Sequence, residues 1–483
     1  MVNEGHTASE EKLHAELAAN PLTFEGAEKT QAGDVPVELL QPSDLGAIYD
    51  DAAKHVCGQA WAVIDSVHQP NKVIPQLLEM LREGGRRYNQ GVHRLLSDLA
   101  SSTIFLRPFP LTFASTRPLQ LGRRPLESVM SAEIGFAVVG LGMGRHHCKA
   151  VQNAPGARLV GVCDVDAERL GPAAEEYGCK AWSHLDELLA DDEVDVVNIA
   201  TPSGTHVELA LQAVAAGKHL IVEKPADIRV DRIDALIAAV DKAGVKAAGI
   251  FQSRLDPLNR QIRDAVAGGK LGNLIGVHGH LPWYRKQTYY DGPHGSWKGT
   301  WDMDGGGSLM NQGVHTVDLL QWFAGPVASV MGMFGVFGHD IEAEDQTVAL
   351  LRFECGAIGT LFTTTCAYPG FDQRLMLYGS DGSVSKREGA LDGWKMLNDE
   401  DGAQEAKMLE SFGAKADKKS GAADPLAVSF DGHTQIVIDL MDALREGRDP
   451  HISLDSARHA VEIINSIYES SRTGKEIILG GGS

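Results

Sequence analysis

The sequence predicts a doubly wound parallel α/β sheet followed by a C-terminal α+β domain with a large open, mostly antiparallel sheet. An N-terminal helical and linker segment precedes both. Three observations predict this. From Ile134 onward, short apolar runs alternate with helical patterns, as parallel strands covered on both faces do. Two of those runs end in chemistry-bearing turns: Ile134–Val139 in Gly140-Leu141-Gly142-Met143-Gly144, and His219–Val222 in Glu223-Lys224-Pro225. After about Ser253 the strands lengthen and alternate, the pattern of an antiparallel sheet with one wet face.

Residues 1–129 read as an extension of a different kind. A polar, acidic stretch leads to helical periodicity, with Ser43 placed to cap a helix to about Val67. Further helices are expected over Pro70–Glu83, with Val73, Ile74, Leu77, Leu78 and Leu81 on one face, and over Tyr88–Leu99. Arg107–Arg124, rich in proline and arginine, reads as a linker. Nothing in this extension points to chemistry.

The parallel domain is expected over 130–253. Its strands are Ile134–Val139, Arg158–Cys163, Asp195–Ala200, His219–Val222 and 245–250. Helices near His147–Asn153, Ala167–Tyr177, His206–Ala216 and 231–243 connect them. The domain over 254–483 is expected to carry strands at 275–283, 327–337, 346–366 and 374–378, then helices at 431–446 and 454–471. Glu476–Leu479 is a last strand, and the polar segment 396–426 is expected to be a mobile surface loop.

At 483 residues the chain is long enough for two or three domains, and 43% hydrophobic with 23% charged residues is an ordinary globular composition. The net charge of −21 argues against nucleic acid, whose phosphates need a surplus of lysine and arginine, and against an anionic membrane surface. Six cysteines are scattered without a CxxC pair, as in a reducing compartment. The amino terminus lacks the basic and apolar regions of a secretory signal. Arg123-Arg124 lies too far inside the chain for a twin-arginine signal, so a cytoplasmic location is expected.

The two turns share the edge at which doubly wound sheets bind ligands. Gly140, Gly142 and Gly144, with Met143 between them, depart from G-x-G-x-x-G because Arg145 stands where the third glycine is expected. A plain tight turn would also explain them. Asp164 strengthens the dinucleotide reading, since it ends the second strand near the ~20-residue spacing of a carboxylate that binds an adenosine ribose. Such a carboxylate repels a 2′-phosphate, so NAD is expected over NADP. Thr201, Pro202 and His206 follow the next strand, where a loop and helix start approach a dinucleotide, and Glu223 and Lys224 border the same cleft.

Pro225 holds Lys224 in extended backbone and ends the strand, directing the side chain out of the sheet edge. A desolvated lysine there can act as acid or base, although an ordinary exposed lysine satisfies the same constraint. The run Asp304-Gly305-Gly306-Gly307-Ser308 opens a helical pattern that sets Asn311, His315 and Asp318 on one face, a combination suited to a polyol. A satisfied core histidine is the commoner explanation of a lone histidine. Arg254, Trp283, Tyr284, Arg285, Tyr289, Tyr290, Trp297 and Lys298 offer aromatic faces for a pyranose and cations for an anionic substituent. His278 and His280 alternate on one strand without a third ligand at a sensible spacing, so no metal site is expected.

From about Ile134 to its end the chain resembles the glucose–fructose oxidoreductase/inositol dehydrogenase (Gfo/Idh/MocA) family. The resemblance is carried by GLGMG with Asp164, ATPSGTH at 200–206, EKP at 223–225, FQSRLDP at 251–257 and DGGGSLMNQGVHTVDLLQW at 304–322. DALREGRDP at 442–450 and IYESSRTGK at 467–475 extend it. It implies a Rossmann domain, Lys224 near nicotinamide and substrate, and His315 as principal acid/base. Inositol dehydrogenases of the family carry an aspartate where this chain has Asn311, which cannot accept the proton and is left to orient substrate or His315.

The resemblance implies an NAD-dependent oxidoreductase acting on a carbinol carbon of a sugar, nucleotide sugar or cyclitol, assembled as a homodimer or homotetramer. Two alternatives stay open. One is an NAD-dependent glycoside-cleaving enzyme that oxidises C3 transiently; the other is a non-catalytic NAD-binding regulator.

Overall fold

The computed structural model describes residues 133–292, 295–414 and 431–480. The chain divides into two units, Met1–Gln120 and Leu121–Ser483, and every described residue lies in the second. The helices and linker expected over residues 1–129 lie outside the described residues.

Alternating elements build the first sheet: β1 (Ile134–Val139), α1 (Gly144–Asn153), β2 (Ala157–Cys163), α2 (Ala167–Tyr177), β3 (Lys180–Trp182), α3 (Leu185–Leu189), β4 (Val196–Ile199), α4 (His206–Ala215), β5 (His219–Val222), α5 (Val230–Ala243) and β6 (Ala247–Gly249). All pairings are parallel, in the order β3-β2-β1-β4-β5-β6. β1 and β4 are buried along their whole length, which is why they read as unbroken apolar runs. Local signals set the helix ends: the Asp166 carboxylate caps α2 by accepting from Glu168 N, and Gly178, at φ 64°, ends it. The strand order reverses between β1 and β4, so the ligand crevice of such a sheet opens where Gly140, Ala200 and Glu223 leave their strands.

The second sheet has eight strands. Its elements are α6 (Pro257–Ala267), β7 (Leu274–Pro282), the short α7 (Thr288–Asp291), α8 (Val314–Ala324), β8 (Val327–Gly335), β9 (Gln346–Phe353), β10 (Ile358–Thr364), β11 (Arg374–Gly379), β12 (Gly382–Arg387), β13 (Ala390–Met396), α9 (Ala403–Phe412), α10 (Asp431–Glu446), α11 (Leu454–Thr473) and β14 (Ile477–Ile478). The order is β13-β12-β11-β7-β10-β9-β8-β14, antiparallel except for β7 beside β10. α8 packs on β7 and α11 on β8, covering one face. On the other face Ile275, Met331, Met333, Val348, Leu350 and Ile358 are exposed. No helix among the described residues is long and apolar enough to cross a membrane.

Several expectations need correction. The single strand expected over 346–366 is the hairpin β9–β10, reversed at Glu354–Ala357, where Gly356 takes φ 91°. The segment 396–426, expected to be a loop, holds helix α9, while residues 415–430 lie outside the described residues. β12 and β13 leave little mark in the sequence, because their polar faces and short turns, Glu388 among them at φ 49°, give little apolar contrast.

Candidate active site

The glycine turn is built for close approach. Gly140 takes φ 88°, and a Cβ on it would stand 2.6 Å from the Ala200 carbonyl oxygen and 2.9 Å from Thr201 Cγ2. The loops that follow β1 and β4 are therefore in contact. A Cβ on Gly142 would meet nothing within 4 Å, leaving open space over the turn, and one on Gly144 would stand 2.9 Å from Val138 Cγ1, so Gly144 lets α1 lie close on β1. Tight turn, open approach and close helix packing are thus all supplied, despite the early third glycine. α1 starts at Met143 without a side-chain cap, so its first N–H groups remain for an anion at the helix terminus. The Asp164 carboxylate reaches back to this turn, accepting from Leu141 N at 2.7 Å and Asp166 N at 2.8 Å. These residues fit a dinucleotide; bound here, it would supply a hydride acceptor or donor at its nicotinamide.

Two residues expected to hold the dinucleotide have side chains engaged within the protein. Both ring nitrogens of buried His206 face main-chain carbonyls, Pro225 O and Thr201 O, each at 2.8 Å. His206 therefore ties the Thr201-Pro202 loop to the turn after Lys224. The carboxylate of buried Glu223 meets His147 Nε2 at 3.1 Å and His433 Nε2 at 3.3 Å, and its other oxygen accepts from Lys224 N at 2.8 Å. Burial opposes its ionisation, but the two histidines outweigh burial and hold its carboxyl well below the usual range. His147 itself is pushed down, chiefly by burial. Glu223 is thus a clamp linking α1, the end of β5 and α10.

From this clamp Lys224 extends its ammonium to the main-chain carbonyl of Asn311 at 3.1 Å. Asn311 lies in a π turn, Ser308–Gly313, that runs directly into α8. A Cβ on Gly307 would stand 1.9 Å from Glu344 O, so the glycine run permits a close strand crossing there. The buried Glu344 carboxylate then pins the turn through Gly307 N, Leu309 N, Ser308 Oγ and Tyr468 OH. The wide turn carries Asn311 into the crevice just ahead of His315, a placement common for π turns at functional sites. Burial and then the Lys224 charge push the His315 imidazole down to about 3, so it is neutral near pH 7. Its Nδ1 is buried with no hydrogen-bond partner among the described residues, and Phe251 packs edge-on at 5.7 Å between ring centroids.

Asp318, expected to share the substrate face with Asn311 and His315, turns inward. Its carboxylate accepts from Arg254 Nε at 2.9 Å and from Arg254 Nη2, while Arg254 also donates to Ser456 Oγ and Ser456 O. Arg254 and Asp318, expected to hold substrate, are both buried and paired with each other. Tyr284 stacks edge-on with Tyr368, and Trp297 receives Thr300 Oγ1 on its carbonyl. The groups gathered beside Asn311 are Tyr289, whose hydroxyl lies 3.4 Å from Asn311 Oδ1, Gln312, Arg285, and Lys298, whose ammonium sits 3.8 Å from the Tyr289 ring centroid. Asp304, which no sequence signal marks as a site residue, also meets Asn311. His278 bonds Thr360 Oγ1, and His280 stacks on Phe362.

Residues 134–250 match the oxidoreductase family with an NAD-binding Rossmann fold, and residues 259–385 match the GFO/IDH/MocA C-terminal domain. The chain belongs to the Gfo/Idh/MocA family. Among Gfo/Idh/MocA relatives, scyllo-inositol 2-dehydrogenase (NAD(+)) of Bacillus subtilis (strain 168) is 28% identical over 266 residues, covering 53% of this chain and 74% of the relative. The 1,5-anhydro-D-fructose reductase of Ensifer adhaerens is 30% identical over 248 residues, covering 48% of this chain and 69% of the relative. In structure, the WlbA dehydrogenase of Bordetella pertussis, solved with NADH and UDP-GlcNAcA, matches with a TM-score of 0.66 and 30% identity, covering 73% of this chain and 99% of WlbA. As a Gfo/Idh/MocA member, the chain is an NAD-binding oxidoreductase of the sugar and cyclitol dehydrogenase class.

Proposed function

We propose that this chain oxidises a carbinol of a sugar, nucleotide sugar or cyclitol with NAD, or runs the reverse reduction, with Lys224 and His315 handling the proton. The observation that carries this reading is the meeting of Lys224, from the edge of the dinucleotide sheet, with the Asn311 turn that leads to His315. In the oxidation, bound NAD would accept a hydride from the carbinol carbon while the hydroxyl proton passes to the neutral His315, leaving a carbonyl. Lys224 holds the oxygen that changes charge, and Asn311 orients the substrate. Tyr289, Arg285 and Lys298 place an aromatic face and two cations beside Asn311, which suits a sugar carrying an anionic group. WlbA, with its bound UDP-GlcNAcA, makes nucleotide sugars the first class to try.

Asp164 beside the glycine turn supports NAD over NADP, because a 2′-phosphate would meet a carboxylate. The exposed apolar row on β8, β9 and β10 supports a homodimer or homotetramer joined through the open sheet face. Six cysteines scattered without a CxxC pair support a cytoplasmic setting.

The test is a panel of nucleotide sugars, hexoses and inositols with NAD, followed by the absorbance of reduced nicotinamide. Net reduction with one of these classes supports the reading. Aglycone release from a glycoside without net reduction would replace it with transient-oxidation glycoside cleavage.

A further inference from the structure

Asp304 is fully buried, yet its carboxylate sits in the candidate site. Oδ1 accepts from Asn311 Nδ2 at 2.6 Å and Oδ2 accepts from Gly299 N at 2.8 Å. The contact with Asn311 is one end of a longer chain. Arg285 Nη2 donates to Gln312 Oε1 at 2.8 Å, Gln312 Nε2 donates to Asn311 Oδ1 at 2.6 Å, and Asn311 Nδ2 donates to Asp304. A guanidinium has only donors and a carboxylate only acceptors, so these two ends leave both amides between them a single orientation. The direction therefore does not depend on telling amide oxygen from nitrogen. Asn311 Oδ1 is thereby the atom turned toward Tyr289 OH.

The same carboxylate is the anion facing the cations of the site. Lys224, from the end of β5, and Lys298, from the loop before the glycine run, both act on it electrostatically. Three phenols also face it: Tyr289 and Tyr290 from α7, and Tyr468 from α11. Burial pushes the Asp304 carboxyl up to about 7, against the hydrogen bonds from Gly299 and Asn311. Its charge thus changes in the range where a dehydrogenase works.

We propose that Asp304 is a positioning residue of this site, whose carboxylate anchors the acceptor end of the Arg285–Gln312–Asn311 amide chain and so holds Asn311 firmly in the orientation in which it meets the substrate. The proposal rests on the dehydrogenase reading of the Lys224–His315 site for its consequence, but not for its test. Protonation of Asp304 leaves the chain directed from its Arg285 end alone and replaces the charged acceptor of Asn311 Nδ2 with a neutral, weaker one, so the amide of Asn311 is held less firmly. Turnover should follow the ionised form.

The test uses full-length protein labelled with 15N at asparagine side chains, titrated from acid to alkaline pH without substrate. The Asn311 side-chain resonance, assigned by its loss in Asn311→Ser, is expected to titrate with one midpoint in the wild type and to stop doing so in Asp304→Asn. The exchange variant Asp304→Asn/Asn311→Asp returns one carboxylate to the same hydrogen bond. With NAD and whichever panel sugar is turned over, Asp304→Asn is expected to lose about 10- to 100-fold in kcat/KM together with its acidic limb. The exchange is expected to regain most of that loss, and Asn311→Asp alone, which opposes two carboxylates, should not. A wild-type resonance that does not titrate, or the same titration in Asp304→Asn, overturns the proposal. So does an exchange variant as slow as Asp304→Asn. An unchanged thermal midpoint in Asp304→Asn separates positioning from a folding defect. The dehydrogenase reading fails separately, by full turnover in Lys224→Ala and His315→Ala.

Discussion

The ammonium of Lys224 donates to the main-chain carbonyl of Asn311 at 3.1 Å, so the lysine two residues past β5 is held against the turn that introduces His315. A side chain gripping a backbone atom positions its partner whatever residue stands there, and its other hydrogens remain available to a substrate oxygen. Lys224→Ala is expected to lower kcat by about 10²- to 10⁴-fold while NAD still binds. Lys224→Arg should not restore it, since a guanidinium is a fork of different shape that does not give up its proton. Steady-state kinetics beside NAD titration by fluorescence would show this. Wild-type kcat in both variants would remove Lys224 from the chemistry.

Asp164 holds Leu141 N and Asp166 N, so its removal affects the turn as well as the ribose contact proposed for it. Asp164→Ala is expected to weaken NAD by about tenfold, in keeping with the loss of a charged hydrogen bond, and to narrow the preference over NADP. Paired Kd measurements for the two cofactors decide it. An unmoved ratio would assign the ribose contact elsewhere.

Arg254 and Asp318 form a buried ion pair that also fastens Ser456 at the start of α11. Removing one partner leaves the other charge unpaired, so Asp318→Leu is expected to cost about 3–5 kcal/mol in denaturant unfolding. KM for the sugar should change little in the fraction that stays folded. A raised KM with unaltered stability would instead return both residues to the substrate site.

His219 accepts the Lys246 N–H on Nδ1 at 2.9 Å, a bond only the neutral ring can make. Burial pushes its imidazole down to about 4. Because the folded value lies below the unfolded one, this stability is fully present above pH 6.5 and is lost as pH falls toward 4. The loss amounts to about 3 kcal/mol. His219→Gln, whose carbonyl can still accept, should flatten the wild-type slope of unfolding free energy across that window. An identical slope would acquit His219.

Met333 and Leu350 are 76% and 56% exposed on the uncovered sheet face. If copies associate there, Met333→Lys with Leu350→Lys should shift the mass in light scattering to that of a monomer without changing the thermal midpoint much. An oligomer that survives the double substitution would place the interface elsewhere.

The parallel sheet was legible because its strands are buried on both faces, so apolar runs and glycine or proline stops mark each end. Inside–outside alternation is absent from β1; Phe136, Ala137 and Val138 are all fully buried, as an unbroken run requires. The crevice residues were legible for the same reason, since Gly140, Asp164 and Lys224 all follow strand ends. What stayed hidden depends on contacts between distant segments. Nothing local says that Asp318 meets Arg254, or that the glycine run enters a π turn instead of an α-helix. Asp304 read as part of a glycine-rich turn, and only folding brings its carboxylate to Asn311. His433 lies on a helix whose pattern shows an apolar face and no hint of a partner at Glu223.

That last contact joins residues 210 positions apart. During synthesis the strands of the dinucleotide sheet emerge first and can pair at once, since all six precede Phe251. Lys224 then waits behind an incomplete clamp until α10 leaves the ribosome. A nascent chain halted before His433 would carry the glycine turn and the lysine, but not the second imidazole that steadies the glutamate between them. The order of manufacture thus leaves the clamp at the end of β5 unfinished until α10 has been made.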